Sequence, residues 1–181
     1  MSKIHLFILI SLLTILQLFL LPDYNANMPL TIICKSFDRL SPQEIYDSLR
    51  MRQEVFVVEQ DCHVPDIDNK DPRCHHLLIY RDDQLQGYAR LLPAGLTFPE
   101  LSIGRVLTSA ASRGTGLGKI LMLEAIKNCY IIFGKAPIRI AAQNYARLFY
   151  EKLGFIKDSD IYDLDGIDHI LMLRLPEALS E

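Results

Sequence analysis

The chain has 181 residues, of which half are hydrophobic, and a formal net charge of −3 at pH 7. Its length is most simply that of one domain with a full core. Its composition argues against an intrinsically disordered chain and against a basic surface for nucleic acid. The four cysteines form no C-x-x-C pair and favour free thiols in a reducing compartment over a disulfide framework.

The first predicted element is an apolar run over residues 4–21, which Pro22 ends. Its length is that of a marginal membrane span. Three interpretations stay open: a membrane anchor, an unusual secretion signal, or a translated extension upstream of a start at Met28. We therefore divide the chain into a hydrophobic N-terminal segment, residues 1–27, and a folded domain, residues 28–181.

Beyond that segment, hydrophobic periodicity and turn residues predict both strands and helices. Ser41, followed by Pro42 and Glu44, is typical of a helix N-terminus. Gly104 lies inside a predicted strand, where it favours a bulge or a close backbone approach. The first predicted elements are a strand at 30–37, a helix from 42, hairpin strands at 77–80 and 85–92, and a strand at 101–108. They are followed by a helix at 120–132, a strand at 138–142, a helix at 145–153 and a final hairpin that turns at Asp165-Gly166. This order predicts a mixed α/β domain.

The most informative motif is the glycine-rich turn Arg-Gly-Thr-Gly-Leu-Gly at residues 113–118. It lies between a predicted strand and a predicted helix, where exposed backbone N–H groups and the positive end of the helix dipole favour phosphate binding. A Walker A motif is excluded because Ile120, and not Ser or Thr, follows Gly118-Lys119. The glycine spacing also differs from the dinucleotide motif G-x-G-x-x-G. The turn therefore predicts a phosphate site of another kind.

Three stretches of the chain resemble one known family. The pattern Arg-x-x-Gly-x-Gly in the turn is similar to the acetyl-CoA pyrophosphate loop of the GNAT N-acetyltransferases. The pattern Gln143-x-x-Ala146-x-x-x-Tyr150-x-x-x-Gly154-Phe155 resembles the GNAT segment beside the coenzyme thiol, although the family usually has Asn in place of Gln143. Residues 55–62, Val-Phe-Val-Val-Glu-Gln-Asp-Cys, are similar to the ElaA-type branch of that superfamily. The resemblance runs in order through residues 30–174.

This resemblance implies the GNAT, or acyl-CoA N-acyltransferase, fold: an α/β structure with a mixed, mostly antiparallel sheet flanked by helices. It implies transfer of an acetyl group from acetyl-CoA to a primary amine by direct attack, without a metal. The amine belongs to a small molecule or to a protein. The residues implied to bind the coenzyme are Val106, Leu107 and Thr108 at the pantetheine, Arg113, Gly114, Thr115, Gly116, Leu117, Gly118 and Lys119 at the pyrophosphate, and Gln143 and Tyr150 near the thiol.

Three side chains are candidates for proton transfer. On the family pattern Tyr150 is the acid that protonates the departing thiolate, although helical tyrosines are usually structural. Glu59 ends an apolar run, where burial would raise the pKa of its carboxyl group and make it a base. The alternative for Glu59 is a residue that fixes a loop through hydrogen bonds. His169, in the final hairpin, either faces the substrate or caps the hairpin.

Residues of metal-ligand type occur in two groups that match no standard motif. The Cys and His residues between positions 62 and 76 lack the spacing of a zinc finger or ribbon. Asp66, Asp68 and Asp71 begin like a calcium loop but lack its glycine and its final glutamate. We therefore predict no metal. The acidic loop at 61–71 either attracts a cationic amine or is simply solvated.

The sequence thus predicts an N-acetyltransferase whose partners are acetyl-CoA and an amine, with no nucleic acid. The alternative from a different class is a non-catalytic acyl-CoA sensor or interaction module, because a fold alone does not assign chemistry. The predicted compartment is the cytoplasm. A location at the membrane follows only if residues 4–21 are a true anchor.

Overall fold

The computed structural model describes residues 29–176. Its strands are β1 Thr31–Ser36, β2 His75–Arg81, β3 Gln84–Leu92, β4 Leu101–Thr108, β5 Ile138–Gln143, β6 Ile156–Lys157, β7 Tyr162–Leu164 and β8 Ile167–Arg174. Its helices are α1 Pro42–Arg52, α2 Leu117–Phe133 and α3 Arg147–Glu151, with a π-helical turn at Gln53–Glu59 and 3₁₀ turns at Phe37–Arg39, Asp71–Arg73, Ala110–Ser112 and Asn144–Ala146.

The apolar run at residues 4–21 and the boundary at Met28 lie outside the described range. Within that range, no helix has the length and apolar character needed to cross a membrane.

The eight strands form one sheet in the order β1-β2-β3-β4-β5-β8-β6, with β7 paired to β8. All neighbouring strands are antiparallel except β4 and β5, which are parallel. The prediction of an α/β fold with a mixed, mostly antiparallel sheet flanked by helices is confirmed. The helix predicted at 145–153 is shorter than expected, because its first residues form a 3₁₀ turn.

The N-terminus of α1 follows the sequence pattern. The Ser41 side chain accepts a hydrogen bond from the Glu44 N–H at 3.2 Å, and the Glu44 carboxylate accepts one from the Ser41 N–H at 2.7 Å. This reciprocal cap satisfies two backbone donors that a helix otherwise leaves unpaired. The helix continues directly into the π-helical turn, where the Gln60 N–H donates to the Val55 carbonyl at 3.0 Å. Such turns are rare and frequently occur at functional sites.

The central sheet lies between α1 and α2. Tyr88 of β3 belongs to a buried cluster that includes Val55 from the π-helical turn. Its neighbour Gly87 faces α2, because a Cβ at Gly87 would lie 3.6 Å from side-chain atoms of Leu117 and Leu121. Successive strand residues point to opposite faces of a sheet. Helix α1, together with the π-helical turn that continues it, therefore covers one face of the sheet, and α2 covers the other.

Strands β4 and β5 separate soon after they begin to pair. Only Leu101 with Ile138, and Ser102 with Arg139, are paired in the parallel ladder. Beyond these residues the facing edges of the two strands have no strand partner within residues 29–176. Because unpaired backbone N–H and C=O groups need hydrogen bonds, this opening is suited to an extended ligand.

A β-bulge bends β4 beside the same opening. The register of β3 and β4 shifts between Tyr88 and Arg90, which places Arg105 and Val106 opposite a single residue. Arg105 has a φ of 52°, which is uncommon for a residue other than glycine. The prediction of a bulge near Gly104 is confirmed, with the irregularity beginning at the next residue.

Candidate active site

A cavity of about 560 Å³ lies where β4 and β5 separate. Its walls come from these two strands, from α3, from the π-helical turn with the loop after it, and from the β7–β8 hairpin. This volume is within the range of small-molecule sites. The walls bring together nine of the residues that the sequence predicts: Glu59, Val106, Leu107, Thr108, Arg113, Gly118, Gln143, Tyr150 and His169.

The glycine turn forms the start of α2 beside this cavity. Gly116 caps α2 with a φ of 88°, and Gly114 has a φ of 75°, so both occupy the left-handed region that favours glycine. Thr115 orders the turn, because its hydroxyl donates to the Ser112 carbonyl at 2.7 Å. The N–H groups of residues 114–116 donate to no described residue. They are therefore available to an anion at the helix N-terminus.

Five predicted coenzyme residues lie outside the cavity walls: Gly114, Thr115, Gly116, Leu117 and Lys119. The first three belong to the turn between Arg113 and Gly118, which do line the cavity. Leu117 is 2% exposed, because its side chain packs in the core. Lys119 is exposed on the first turn of α2.

Arg113 and Glu59 form a two-point ion pair in the cavity wall. The guanidinium Nη1 and Nη2 lie 2.6 and 2.7 Å from the two carboxylate oxygens. The expectation that burial raises the pKa of Glu59 is wrong. The hydrogen bond from Arg113 lowers that pKa, and the side chain is 45% exposed. A paired carboxylate with a lowered pKa is a weaker base than the sequence suggests.

Tyr150 reaches the cavity from α3. T-shaped contacts with Phe149 and Phe155, at centroid distances of 5.0 and 6.0 Å, fix the position of its ring. Burial, with a smaller effect of Tyr145, raises the pKa of the Tyr150 hydroxyl to about 12. The hydroxyl is therefore protonated at neutral pH. No described residue forms a hydrogen bond with it, so it is free to donate to a ligand.

His169 lies opposite Gln143 in the pairing of β8 with β5. Its Nδ1 is 2.8 Å from the Ile167 carbonyl oxygen. Because a carbonyl only accepts, we assign the proton of the neutral ring to Nδ1, which leaves the Nε2 lone pair free. The Gln143 amide donates to Gln60 Oε1 at 3.0 Å and links β5 to the loop after the π-helical turn.

Three carboxylates of the acidic loop pair with arginines and have side chains only 7–22% exposed, so the expectation that the loop is simply solvated is wrong for them. These aspartates pair with three arginines from α1, β3 and β4: Asp66 with Arg52 and Arg105, Asp68 with Arg90, and Asp71 with Arg52 and Arg90. The network is the main structural feature of this region that sequence reasoning missed.

Asp71 lies at the centre of the network. Both of its carboxylate oxygens accept from Arg52 Nη1 at 3.0 Å, and one also accepts from Arg90 Nη1 at 2.9 Å. Burial alone would raise the pKa of Asp71, but hydrogen bonds and charge from the two arginines outweigh burial and lower it. The Arg52 and Arg90 side chains are 1% and 3% exposed, so both cations depend on these partners.

Asp66 connects the network to the cavity. One carboxylate oxygen accepts from Arg105 Nε at 2.6 Å, and the other accepts from Arg52 Nε at 2.7 Å. Arg105 is the residue with positive φ in the β4 bulge, and both Asp66 and Arg105 line the cavity. The acidic loop therefore holds the bulged strand in place at the edge of the opening.

The described residues contain no group of three or more His, Cys, Asp or Glu side chains arranged to hold a metal ion. His76, for example, has no ring nitrogen available for a metal ion. Its ring nitrogens lie 2.7 Å from the Tyr88 hydroxyl and 3.0 Å from the Asp71 carbonyl oxygen, so both have internal partners.

Comparison with known proteins identifies the class. Residues 38–175 match the acetyltransferase (GNAT) domain family, and the chain belongs to that family. It is 41% identical over 142 residues to a UPF0039 protein of Synechocystis sp., a match that covers 77% of this chain and 92% of that protein. Family membership supports acyl transfer, with binding of an acyl-CoA, as the general activity.

Two crystal structures share the fold at substantial sequence identity. Escherichia coli ElaA is 34% identical with a TM-score of 0.77, and the match covers 81% of this chain and 99% of that one. An acyl-CoA N-acyltransferase from Pseudomonas aeruginosa is 37% identical with a TM-score of 0.76 and the same coverage. The resemblance to the ElaA-type branch is confirmed.

Proposed function

We propose that this chain transfers an acetyl group from acetyl-CoA to a primary amine by direct attack in a ternary complex. One observation carries the proposal: Tyr150, whose hydroxyl forms no hydrogen bond with the described residues, lines the cavity between β4 and β5. A phenol that stays protonated there is placed to supply a proton to a departing thiolate. Membership of the GNAT family supports the acyl transfer itself.

The coenzyme side of the cavity consists of the glycine turn and the bulged strand. The free N–H groups of residues 114–116, at the positive end of the α2 dipole, bind the pyrophosphate. Arg113 adds its guanidinium once it exchanges Glu59 for a phosphate oxygen. The edge of β4 at residues 106–108 pairs with the pantetheine arm, and its N–H groups polarise the thioester carbonyl. Gln143 supplies a polar contact near the thiol.

The proton transfers require one acid and one base. The amine must be neutral and lie about 3 Å from the thioester carbon when it attacks. His169 Nε2 removes the ammonium proton through a water molecule, and the Tyr150 hydroxyl protonates the thiolate as the tetrahedral species collapses. We assign the base to His169 and not to Glu59, because the Glu59 carboxylate is paired with Arg113.

The test is amine-dependent release of the CoA thiol by the full chain, with the acetylated amine identified by mass spectrometry. A panel of primary amines is compared with an incubation that lacks amine, and acetyl-CoA is compared with propionyl-CoA and butyryl-CoA. We expect release only with an amine, and fastest from acetyl-CoA. Binding of acetyl-CoA by calorimetry without transfer to any amine would contradict the proposal and favour the sensor.

Replacing Gly116 with valine should weaken acetyl-CoA binding by at least about tenfold. A Cβ at Gly116 is strained by the φ of 88° and would project where the pyrophosphate approaches the backbone. Gly95→Val is the matched control, because Gly95 has a φ of 80° and equally open surroundings but lies in the loop between β3 and β4, away from the glycine turn. Calorimetry that shows equal affinities for the two variants would mean that the turn only begins a helix.

Replacing Glu59 with glutamine should tighten acetyl-CoA binding by about twofold to fivefold, because the half-exposed ion pair with Arg113 competes weakly with the phosphates. This gain in affinity should disappear when Arg113 is also replaced with alanine, because the ion pair is then already absent. Glu151→Gln, which removes a similarly exposed ion pair with Arg147 outside the cavity, is the control. A loss of about 10² in kcat with unchanged affinity would instead assign the base to Glu59.

We propose that this activity takes place in the cytoplasm, because the reaction requires acetyl-CoA and the four cysteines favour a reducing compartment. Intact mass of the protein from its natural host would show whether residues 4–21 are retained, as a membrane anchor requires. Retention with recovery in the membrane fraction would contradict the placement.

A further inference from the structure

The acceptor half of the cavity is the part that the coenzyme side leaves free. It is formed by the π-helical turn, the loop that follows it and the β7–β8 hairpin. Its apolar or weakly polar lining consists of Val55, Phe56, Cys62, Val64, Leu164 and Ile167. Val64 and Leu164 are 40% and 43% exposed, so part of this lining remains open to solvent. Apolar surface of this kind at a cavity is suited to an apolar portion of a ligand.

The charged groups of the cavity disfavour an anionic substrate. Arg105 and Arg113 are the only Lys or Arg side chains in the described walls, and each lies 2.6 Å from a carboxylate oxygen, of Asp66 and Glu59 respectively. Asp165 is the third carboxylate in the walls and forms no ion pair or hydrogen bond with the described residues. An acceptor with a carboxylate or phosphate would meet no free cation and would face Asp165.

Resting on the proposed acetyl transfer, we propose that the acceptor is a primary amine on an apolar chain or ring that carries no anionic group. The Asp165 carboxylate attracts the ammonium form as it enters, and the apolar walls bind its substituent. Asp165 therefore determines specificity, and it acts on binding rather than on proton transfer.

The test compares kcat/KM, by thiol release at saturating acetyl-CoA, for matched amines with the full chain. The pairs are hexylamine with ε-aminocaproate, and phenethylamine with phenylalanine. We expect the amine without a carboxylate to be preferred by at least about tenfold in each pair. In the series ethylamine, butylamine and hexylamine, kcat/KM should rise by about twofold to fourfold per methylene group.

Asp165→Asn should reduce the discrimination between the members of each pair by several-fold. The asparagine keeps the shape of the side chain and tolerates the φ of 58° at this position. Asp168→Asn is the control, because Asp168 is exposed and lies between Ile167 and His169 in β8, so its side chain points to the opposite face. The control should leave the preference unchanged.

The outcomes separate this inference from the function on which it rests. Transfer with equal or higher kcat/KM for the carboxylated amines, or an unchanged preference in Asp165→Asn, would overturn the inference and uphold acetyl transfer. Failure to acetylate any amine would overturn the proposed function, and this inference with it.

Discussion

Replacing Tyr150 with phenylalanine should lower kcat by about 10²-fold and leave the affinity for acetyl-CoA within a few-fold. Phenylalanine keeps the T-shaped contacts with Phe149 and Phe155, so the variant should fold. Only the hydroxyl is lost, and with it the proton for the thiolate. The expected fall in kcat lies at the lower end of the range for general acid catalysis. A thiol with a pKa of about 8.5 gives a thiolate that is already a good leaving group.

Steady-state kinetics and calorimetry on the folded variant measure the two effects separately. Tyr46→Phe is the control, because Tyr46 is 63% exposed on α1 and lies outside the cavity walls. A kcat for Tyr150→Phe that stays within about threefold of the parent would show that Tyr150 is a packing residue, and the acid would have to be sought elsewhere.

Replacing Asp71 with asparagine should lower the free energy of unfolding by about 3 kcal/mol, because it removes one partner from a buried ion network. Asp71 is 5% exposed and accepts hydrogen bonds from both Arg52 and Arg90. In the variant the two buried guanidiniums keep only Asp66 and Asp68 as charged partners. For a chain of this size the change corresponds to a fall in Tm of about 6–12 °C.

Chemical denaturation measures this loss of stability. The matched control is Asp160→Asn, whose side chain is fully exposed and pairs with Lys157 at 3.5 Å, and it should change stability by less than about 0.5 kcal/mol. Equal stabilities for the Asp71 and Asp160 variants would mean that the network does not stabilise the fold.

The features that the sequence predicts correctly depend on short stretches of chain. The capping box of α1 needs only Ser41 and Glu44, and the turn at Asp165-Gly166 needs only two residues that adopt positive φ. The glycine turn is predictable for the same reason, because strand, turn and helix are contiguous. A local backbone geometry restricts which residues can occupy a short stretch of chain, so it can be predicted from the sequence.

The electrostatic partners could not be predicted, because they join distant segments. Glu59 ends an apolar run, which suggests a buried base, yet Arg113 meets it from 54 positions away. Arg105 joins Asp66 across 39 positions, and no spacing rule connects a bulge residue to a carboxylate in an earlier loop. Which arginine a given aspartate meets depends on the tertiary fold, and the pKa of each carboxyl group depends on that choice.

The most direct test of direct transfer is a set of initial velocities in which acetyl-CoA and the preferred amine are both varied. The ternary complex at the cavity predicts double-reciprocal lines that intersect. Parallel lines would contradict it, because they indicate an acetyl-enzyme that forms before the amine binds. Such a result would point to Cys62, the cysteine in the cavity wall, as the group that carries the acetyl.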